Sequence, residues 1–212
     1  NASENWSYSF ENLPKYADGT EIVYTVTENA VADYMTTING YNVTNSYTPG
    51  KTSITVTKAW ADNNNQDGIR PGSVQVQLKA DGNAQGEAVT LDADHSWTHT
   101  WTNLDQKKNG QDIVYTVEEV SKVTGYTTAV SGDAKEGFTI TNTHTPETTS
   151  VSGAKTWDDS NDQDGKRPSS ITVNLLANGE KVTEKEVNAS ENWSYSFENL
   201  PKYADGTEIV YT

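Results

Sequence analysis

The chain has 212 residues, no cysteine, and 15 Lys+Arg against 30 Asp+Glu, a formal charge of −15. That balance argues against nucleic acid and against an anionic membrane surface as partners, since both attract basic patches. Hydrophobic residues make up only 33% of the chain, yet Thr, Tyr, Val and Trp are plentiful and the apolar ones alternate, which suits thin β-sandwiches rather than disorder. No apolar run approaches the length of a membrane span, and a secreted fold without disulfides needs another source of robustness.

Residues 1–25, NASENWSYSFENLPKYADGTEIVYT, return unchanged as residues 188–212, a period of 187. Inside that period lies a diverged half-repeat. Ile54–Trp60 (ITVTKAW) with Asp67–Pro71 (DGIRP) matches Val151–Trp157 (VSGAKTW) with Asp164–Pro168 (DGKRP) at a shift of 97. Trp97–Leu104 (WTHTWTNL) matches Trp193–Leu200 (WSYSFENL) at a shift of 96. The repeating unit is therefore a domain of roughly 95 residues in two alternating types. Residues 51–146 make one complete domain, and residues 151–212 and 1–49 are expected to be the front and back of the other type. With no initiator Met and a repeat cut in two, the expectation is a window on a longer tandem array.

In chain order the complete domain reads as seven strands, near 53–60, 73–80, 87–91, 96–102, 112–119, 125–130 and 137–144. Turn signals such as Asp67-Gly68, Asp81-Gly82 and Asn109-Gly110 separate them. Short strands at this spacing, with no convincing helical period, predict an all-β fold of tandem seven-stranded sandwiches.

Successive residues of a strand point to opposite faces, so Ile54, Val56, Lys58 and Trp60 share one face. That face belongs in a core, where Lys58 is costly unless paired or neutralised. The same test puts Glu119 with Tyr115 and Val117, and Asn142 with Phe138 and Ile140. Glu118 falls on the opposite face. The other domain type repeats the pattern with Lys155, Glu28 and Asn45. A buried Lys–Glu ion pair with a neighbouring Asn would satisfy all three groups. The alternative is covalent. A lysine in an apolar site loses its proton and becomes a nucleophile, and a carboxyl group there can shuttle protons. Attack on the Asn side-chain carbonyl then expels ammonia and leaves an amide between side chains.

Val56–Trp60 (VTKAW), Asp67–Pro71 (DGIRP), Trp193–Pro201 (WSYSFENLP), Tyr115–Glu119 (YTVEE), Tyr24–Glu28 (YTVTE) and Phe138–Asn142 (FTITN) resemble the Cna B-type domains. These are stalk repeats of Gram-positive surface adhesins. The resemblance implies immunoglobulin-like, prealbumin-like sandwiches and an extracellular, cell-wall-attached location. It also implies an isopeptide bond between the first-strand Lys and the last-strand Asn, assisted by the Glu of Tyr-x-φ-x-Glu, where φ is apolar. Carried over, the sets are Lys58–Asn142 with Glu119, and Lys155–Asn45 with Glu28. Collagen binding, on the same resemblance, belongs to a region absent from this chain. One departure stands out: Lys155 follows Asn45 instead of preceding it. Closure then needs a permuted arrangement within one chain or residues 26–49 of a neighbouring copy, and head-to-tail pairing is the favoured form.

No cofactor or metal is expected. Asp62–Gly68 (DNNNQDG) and Ser160–Gly165 (SNDQDG) resemble calcium loops but lack the Glu at the twelfth position. His95 and His99 alternate with Trp97 and Trp101 as a solvent-facing pair without a third ligand. Trp60, Trp157 and Trp193 occupy apolar patterns that suit core packing. No catalytic triad, phosphate loop or carboxylate cleft is present, so the expected function is structural, with no enzyme activity beyond a single-turnover cross-link. The rival is a carbohydrate- or matrix-protein-binding sandwich that uses loops 61–70 and 158–167.

Overall fold

The computed structural model describes residues 1–212 and divides into two compact units, Asn1–Gly50 and Lys51–Thr212. The secondary structure is strand and turn, with two single-turn 3₁₀ segments, Ala2–Glu4 and Ala189–Glu191.

In the second unit, residues 51–143 form a two-sheet sandwich. One sheet runs in the order Thr127–Asp133, Gly137–Thr143, Lys51–Ala61, Thr98–Asp105. Its central pair, the first and last strands of the domain, is parallel, with Ile140 opposite Lys58 and Asn142 opposite Trp60. The other sheet centres on Ser73–Ala80, flanked by Tyr115–Glu119 on one side and by Asn83–Ala84 and Val89–Asp92 on the other. Alternation along these strands puts Ile54, Val56, Val74, Val76, Leu78, Leu91, Tyr115, Val117, Phe138 and Ile140 into one core. Burying each of the larger side chains contributes about 1.5–3 kcal/mol, so this core holds the domain. Thr127–Asp133, exposed along its whole length, is an edge strand rich in Thr, Ser and Gly.

The seven expected strands are present, with shifted edges. The strand expected from 96 starts at Thr98, because Ser96 and Trp97 adopt left-handed φ values of 53° and 56° in the turn after Asp92. The strand expected from 112 starts at Tyr115, because Lys107–Lys108 and Gln111–Asp112 close a separate hairpin around Asn109-Gly110.

Residues 148–212 repeat the front of this plan. Thr148–Ala154 pairs with Ser194–Pro201, and Ser170–Ala177 pairs with Glu180–Asn188. The buried apolar residues here are Leu175, Val187 and Phe197.

The first unit has hairpins Tyr16–Ala17/Thr20–Glu21 and Met35–Asn39/Asn42–Ser46, the second turning at Gly40 with φ 60°. None of its residues is buried.

Candidate functional site

Because the first and last strands are parallel neighbours, Lys58 and Asn142 lie side by side on the face turned to the core. Glu119 reaches them from the opposite sheet, at the end of Tyr115–Glu119. A tyrosine anchors the start of that strand, since the Tyr115 hydroxyl donates to the Asp105 carbonyl at 2.9 Å. The same bond recurs ten residues apart from Tyr24 to Pro14 (2.7 Å) and from Tyr211 to Pro201 (2.8 Å). Tyr115 and Tyr24 thus anchor the segments that carry a glutamate four residues on, Glu119 and Glu28.

The three polar side chains meet in a dry place. The Lys58 and Glu119 side chains are 0% and 1% exposed. Asn142 is fully buried. Lys58 Nζ stands 3.7 Å from Glu119 Oε2, and Asn142 Nδ2 donates to Glu119 Oε1 at 2.9 Å. Nζ also donates to the Ala59 carbonyl at 2.8 Å and reaches the Ile140 carbonyl at 3.4 Å. It lies 4.0 Å from the Trp60 ring centroid. Burial lowers the Lys58 pKa to about 8, against the attraction of Glu119. Roughly a tenth of the amine is then neutral at pH 7, against a few parts in ten thousand for an exposed lysine. Two buried oxygens, Asn142 Oδ1 and Glu119 Oε2, have no hydrogen-bond partner. A buried amide carbonyl without a donor is costly at rest, and here it sits in the same cluster as the amine. Glu118 points out and pairs with Lys79.

The second set is divided between the two units. In 151–212, Lys155 Nζ lies 4.3 Å from the Trp157 ring and donates to the Thr156 carbonyl at 2.6 Å, as Lys58 does with Trp60 and Ala59. In 1–50, Thr36 Oγ1 lies 3.0 Å from Glu28 Oε2 and 2.7 Å from Asn45 Oδ1. Its single proton can serve only one of them at a time.

The loop after the first strand carries residues that periodicity does not single out. Asn63, Asn64 and Asn65 are consecutive left-handed residues with φ of 54°, 59° and 60°. They fold the loop back so that the buried Asp62 carboxylate takes a two-point fork from Arg70 at 2.9 and 2.5 Å. Asp62 also accepts from the Asn65 amide at 3.0 Å and from the Tyr126 hydroxyl at 2.8 Å. Asp159 and Arg167 repeat the fork at 2.9 and 2.6 Å. There the loop borders an open hollow beside Trp157, whereas in the central domain Tyr126 packs on Trp60 and bonds to Asp62. The available signal was an Asp followed eight residues later by an Arg, twice in one chain. In the central domain the Asp62 carboxylate is thus fully engaged within the protein.

Arg70, first of all, holds the Asp62 pKa down to about 2. A depressed carboxylate stabilises above its unfolded pKa, near 3.9, and that contribution is lost as pH falls through about 2. Acid titration of tryptophan fluorescence should therefore show loosening around Trp60 between about pH 4 and pH 2, and Asp62→Asn should lose it.

Trp60 packs edge-on against Trp97 at 5.3 Å and against Tyr126 at 5.2 Å, and Trp157 packs likewise on Trp193 at 5.1 Å. His95 and His99 do not share a strand. His95 sits in the turn, bonded to Asp92 at 2.7 Å, and His99 packs on Trp101 at 4.8 Å.

Comparison with known proteins agrees with this architecture. A collagen adhesin of Staphylococcus aureus is 56% identical over 208 residues, 98% of this chain, and the chain spans 18% of that protein's length. The crystal structure of two B repeat units (B1B2) of the S. aureus collagen binding protein superposes with a TM-score of 0.75 at 55% identity. That match covers 100% of this chain and 57% of the B1B2 chain. A single B repeat unit (B1) of the same protein is 37% identical, with a TM-score of 0.41, over 77% of this chain and 84% of that one. The profile of the Cna protein B-type domain matches residues 1–46, 54–143 and 151–212. Both the repeated strands and the core-facing Lys, Glu and Asn lie within those segments, and the chain belongs to the Cna protein B-type domain family.

Proposed function

We propose that this chain is a stretch of the stalk of a cell-wall-anchored surface adhesin, projecting a separate collagen-binding region and hardened by autocatalytic Lys–Asn isopeptide bonds. The observation that carries this is the dry Lys58–Glu119–Asn142 cluster across the first and last strands. In its neutral form the Lys58 amine attacks Cγ of Asn142. The C–N bond to the side-chain nitrogen breaks, and Glu119 carries a proton from the attacking to the leaving nitrogen, so ammonia departs. Swapping the two ends of the Asn142 amide, which have nearly the same shape, brings Oδ1 to Glu119, which in its acid form donates to it and polarises the carbonyl. Pulling force that enters one terminal strand then passes through covalent bonds to the other, and the core is not unzipped. Glu119 and Glu28 act once, in forming the bond, and the chain is not otherwise an enzyme.

On the same reading, residues 51–146 are a complete domain. Residues 151–212 and 1–49 are the front and back of its partner type, and Lys155 meets Glu28 and Asn45 when 151–212 joins residues 26–49 of another copy head to tail. The support is the matching of parts. Lys155 on Trp157 copies Lys58 on Trp60. The ring pair Tyr34–Tyr47 at 5.6 Å copies Tyr126–His144 at 5.3 Å.

Intact-mass spectrometry tests both bonds. A monomer lighter than its sequence by one ammonia, with a Lys58–Asn142 branched peptide after digestion, is the expected result. Full sequence mass would refute the cross-link. Denaturant-resistant oligomers that vanish in Lys155→Ala are expected for the second bond, and their absence at high protein concentration would refute the pairing between copies.

A further inference from the structure

The junction between the complete domain and the following repeat is built around one histidine. His144 continues the last strand, its amide donating to the Ala61 carbonyl at 2.9 Å. Its Nδ1 lies 2.8 Å from the Gly125 carbonyl, and its Nε2 lies 2.8 Å from Asp67 Oδ2. Both partners are acceptors, so both ring nitrogens must carry hydrogen, and a neutral imidazole has only one. The His144 and Asp67 side chains are 13% and 4% exposed, and Asp67 Oδ1 is buried with no partner of its own. Against the Asp67 carboxylate, the arrangement is therefore satisfied by an imidazolium and not by a neutral ring.

Asp67 Oδ2 also takes the Glu147 amide, at 2.8 Å. Glu147 is the residue just before Thr148–Ala154, the first strand of the next repeat. Its carbonyl accepts from the Lys202 amide at 3.0 Å, and its carboxylate pairs with Lys202 Nζ at 2.7 Å. The Asp205-Gly206 turn of that repeat sits on the same loop, Gly206 donating to the Gln66 carbonyl at 3.0 Å. The approach is so close that a Cβ on Gly68 would collide with the Gly206 Cα. Loop 66–68 thus docks the next repeat, and the His144–Asp67 contact fixes the carboxylate that holds its entry strand.

We propose that Asp67, His144 and Glu147 form a proton-operated clamp between consecutive repeats, stiff while His144 is charged and present at every second joint of the stalk. The alternation follows from the repeat. When Asn142 is aligned on Asn45, His144 falls on Tyr47 and Glu147 on Gly50, while Asp67 keeps its counterpart in Asp164. A tyrosine offers one hydroxyl and does not change charge until about pH 10.

The groups facing His144 are Asp67, and beyond it Asp62 with its Arg70, from the loop, and Tyr126, whose ring lies 5.3 Å away. Glu147 and Lys202 stand at the joint. The hydrogen bond to Asp67, above all, raises the His144 pKa above its ordinary value. A raised histidine pKa gives a contribution fully present below about 6.5 and lost as pH rises through the folded value. Deprotonation at Nε2 sets a lone pair against the carboxylate. Deprotonation at Nδ1 sets one against the Gly125 carbonyl. Either loosens the clamp.

The test uses the full chain with spin labels on cysteines placed at the exposed Glu87 and Thr183, one on each side of the joint. The distance distribution should be narrow at about pH 5.5 and broad at about pH 8.5. Its midpoint should coincide with the NMR titration of the His144 ring, above about 6.5. His144→Tyr installs the residue found at the equivalent position of the other type, and it should abolish the pH dependence. A His144 midpoint at or below the ordinary value, a width independent of pH, or an unchanged response in His144→Tyr would each overturn the clamp.

Discussion

Glu119→Ala is expected to yield a folded chain with a free Lys58 and the full mass of its sequence in the central domain. In the native protein the proposed bond closes the 84 residues between Lys58 and Asn142. If it constrains the unfolded chain as a disulfide does, its loss costs about 4–5 kcal/mol, or roughly 20–35 °C in the melting temperature of a domain this size. The variant also leaves the Lys58 ammonium without its anion in a site where the side chain is 0% exposed. Protease resistance should fall further than the equilibrium stability, because free terminal strands can fray and a cross-linked pair cannot. Glu118→Ala is the control: its side chain is 52% exposed on the other face, and it should cross-link fully. An ammonia-deficient mass in Glu119→Ala would remove Glu119 from the chemistry.

Asp62→Ala should produce the second large effect, with the cross-link itself unaffected. Its side chain is 0% exposed, and it alone answers the Arg70 fork, the Asn65 amide and the Tyr126 hydroxyl. Removing one partner of such a network leaves the others desolvated and unpaired, at about 3–5 kcal/mol, on the order of 20 °C in melting temperature. Asp159→Ala should cost clearly less, because Asp159 is 29% exposed and has no tyrosine bonded to it. Calorimetry of the two variants separates the outcomes. Equal shifts of only a few degrees would mean that the loop is held by its backbone turns and not by the carboxylate.

Local alternation was enough to say which residues face the core. Period-two alternation is local, so Lys58, Glu119 and Asn142 could each be placed on an apolar face, and Glu118 set aside, from its own strand alone. Internal repetition did the rest, since a second Lys, Glu and Asn at matching positions made a coincidence implausible. The all-β class and the seven strands followed from the same short-range signals. Strand edges did not, because the left-handed Ser96 and Trp97 depend on the turn that Asp92 stabilises and not on hydropathy. That the first and last strands lie parallel and adjacent emerges from the folded chain alone, because that register joins residues more than eighty positions apart through a core built from both sheets. The Asp62–Arg70–Tyr126 network and the His144–Asp67–Glu147 joint were equally out of reach. Tyr126 and His144 fall on strands that the sequence predicts, but Asp62, Asp67, Arg70 and Glu147 sit between strands, where no period marks a buried face, and the meeting of all six is fixed by the packing of whole domains.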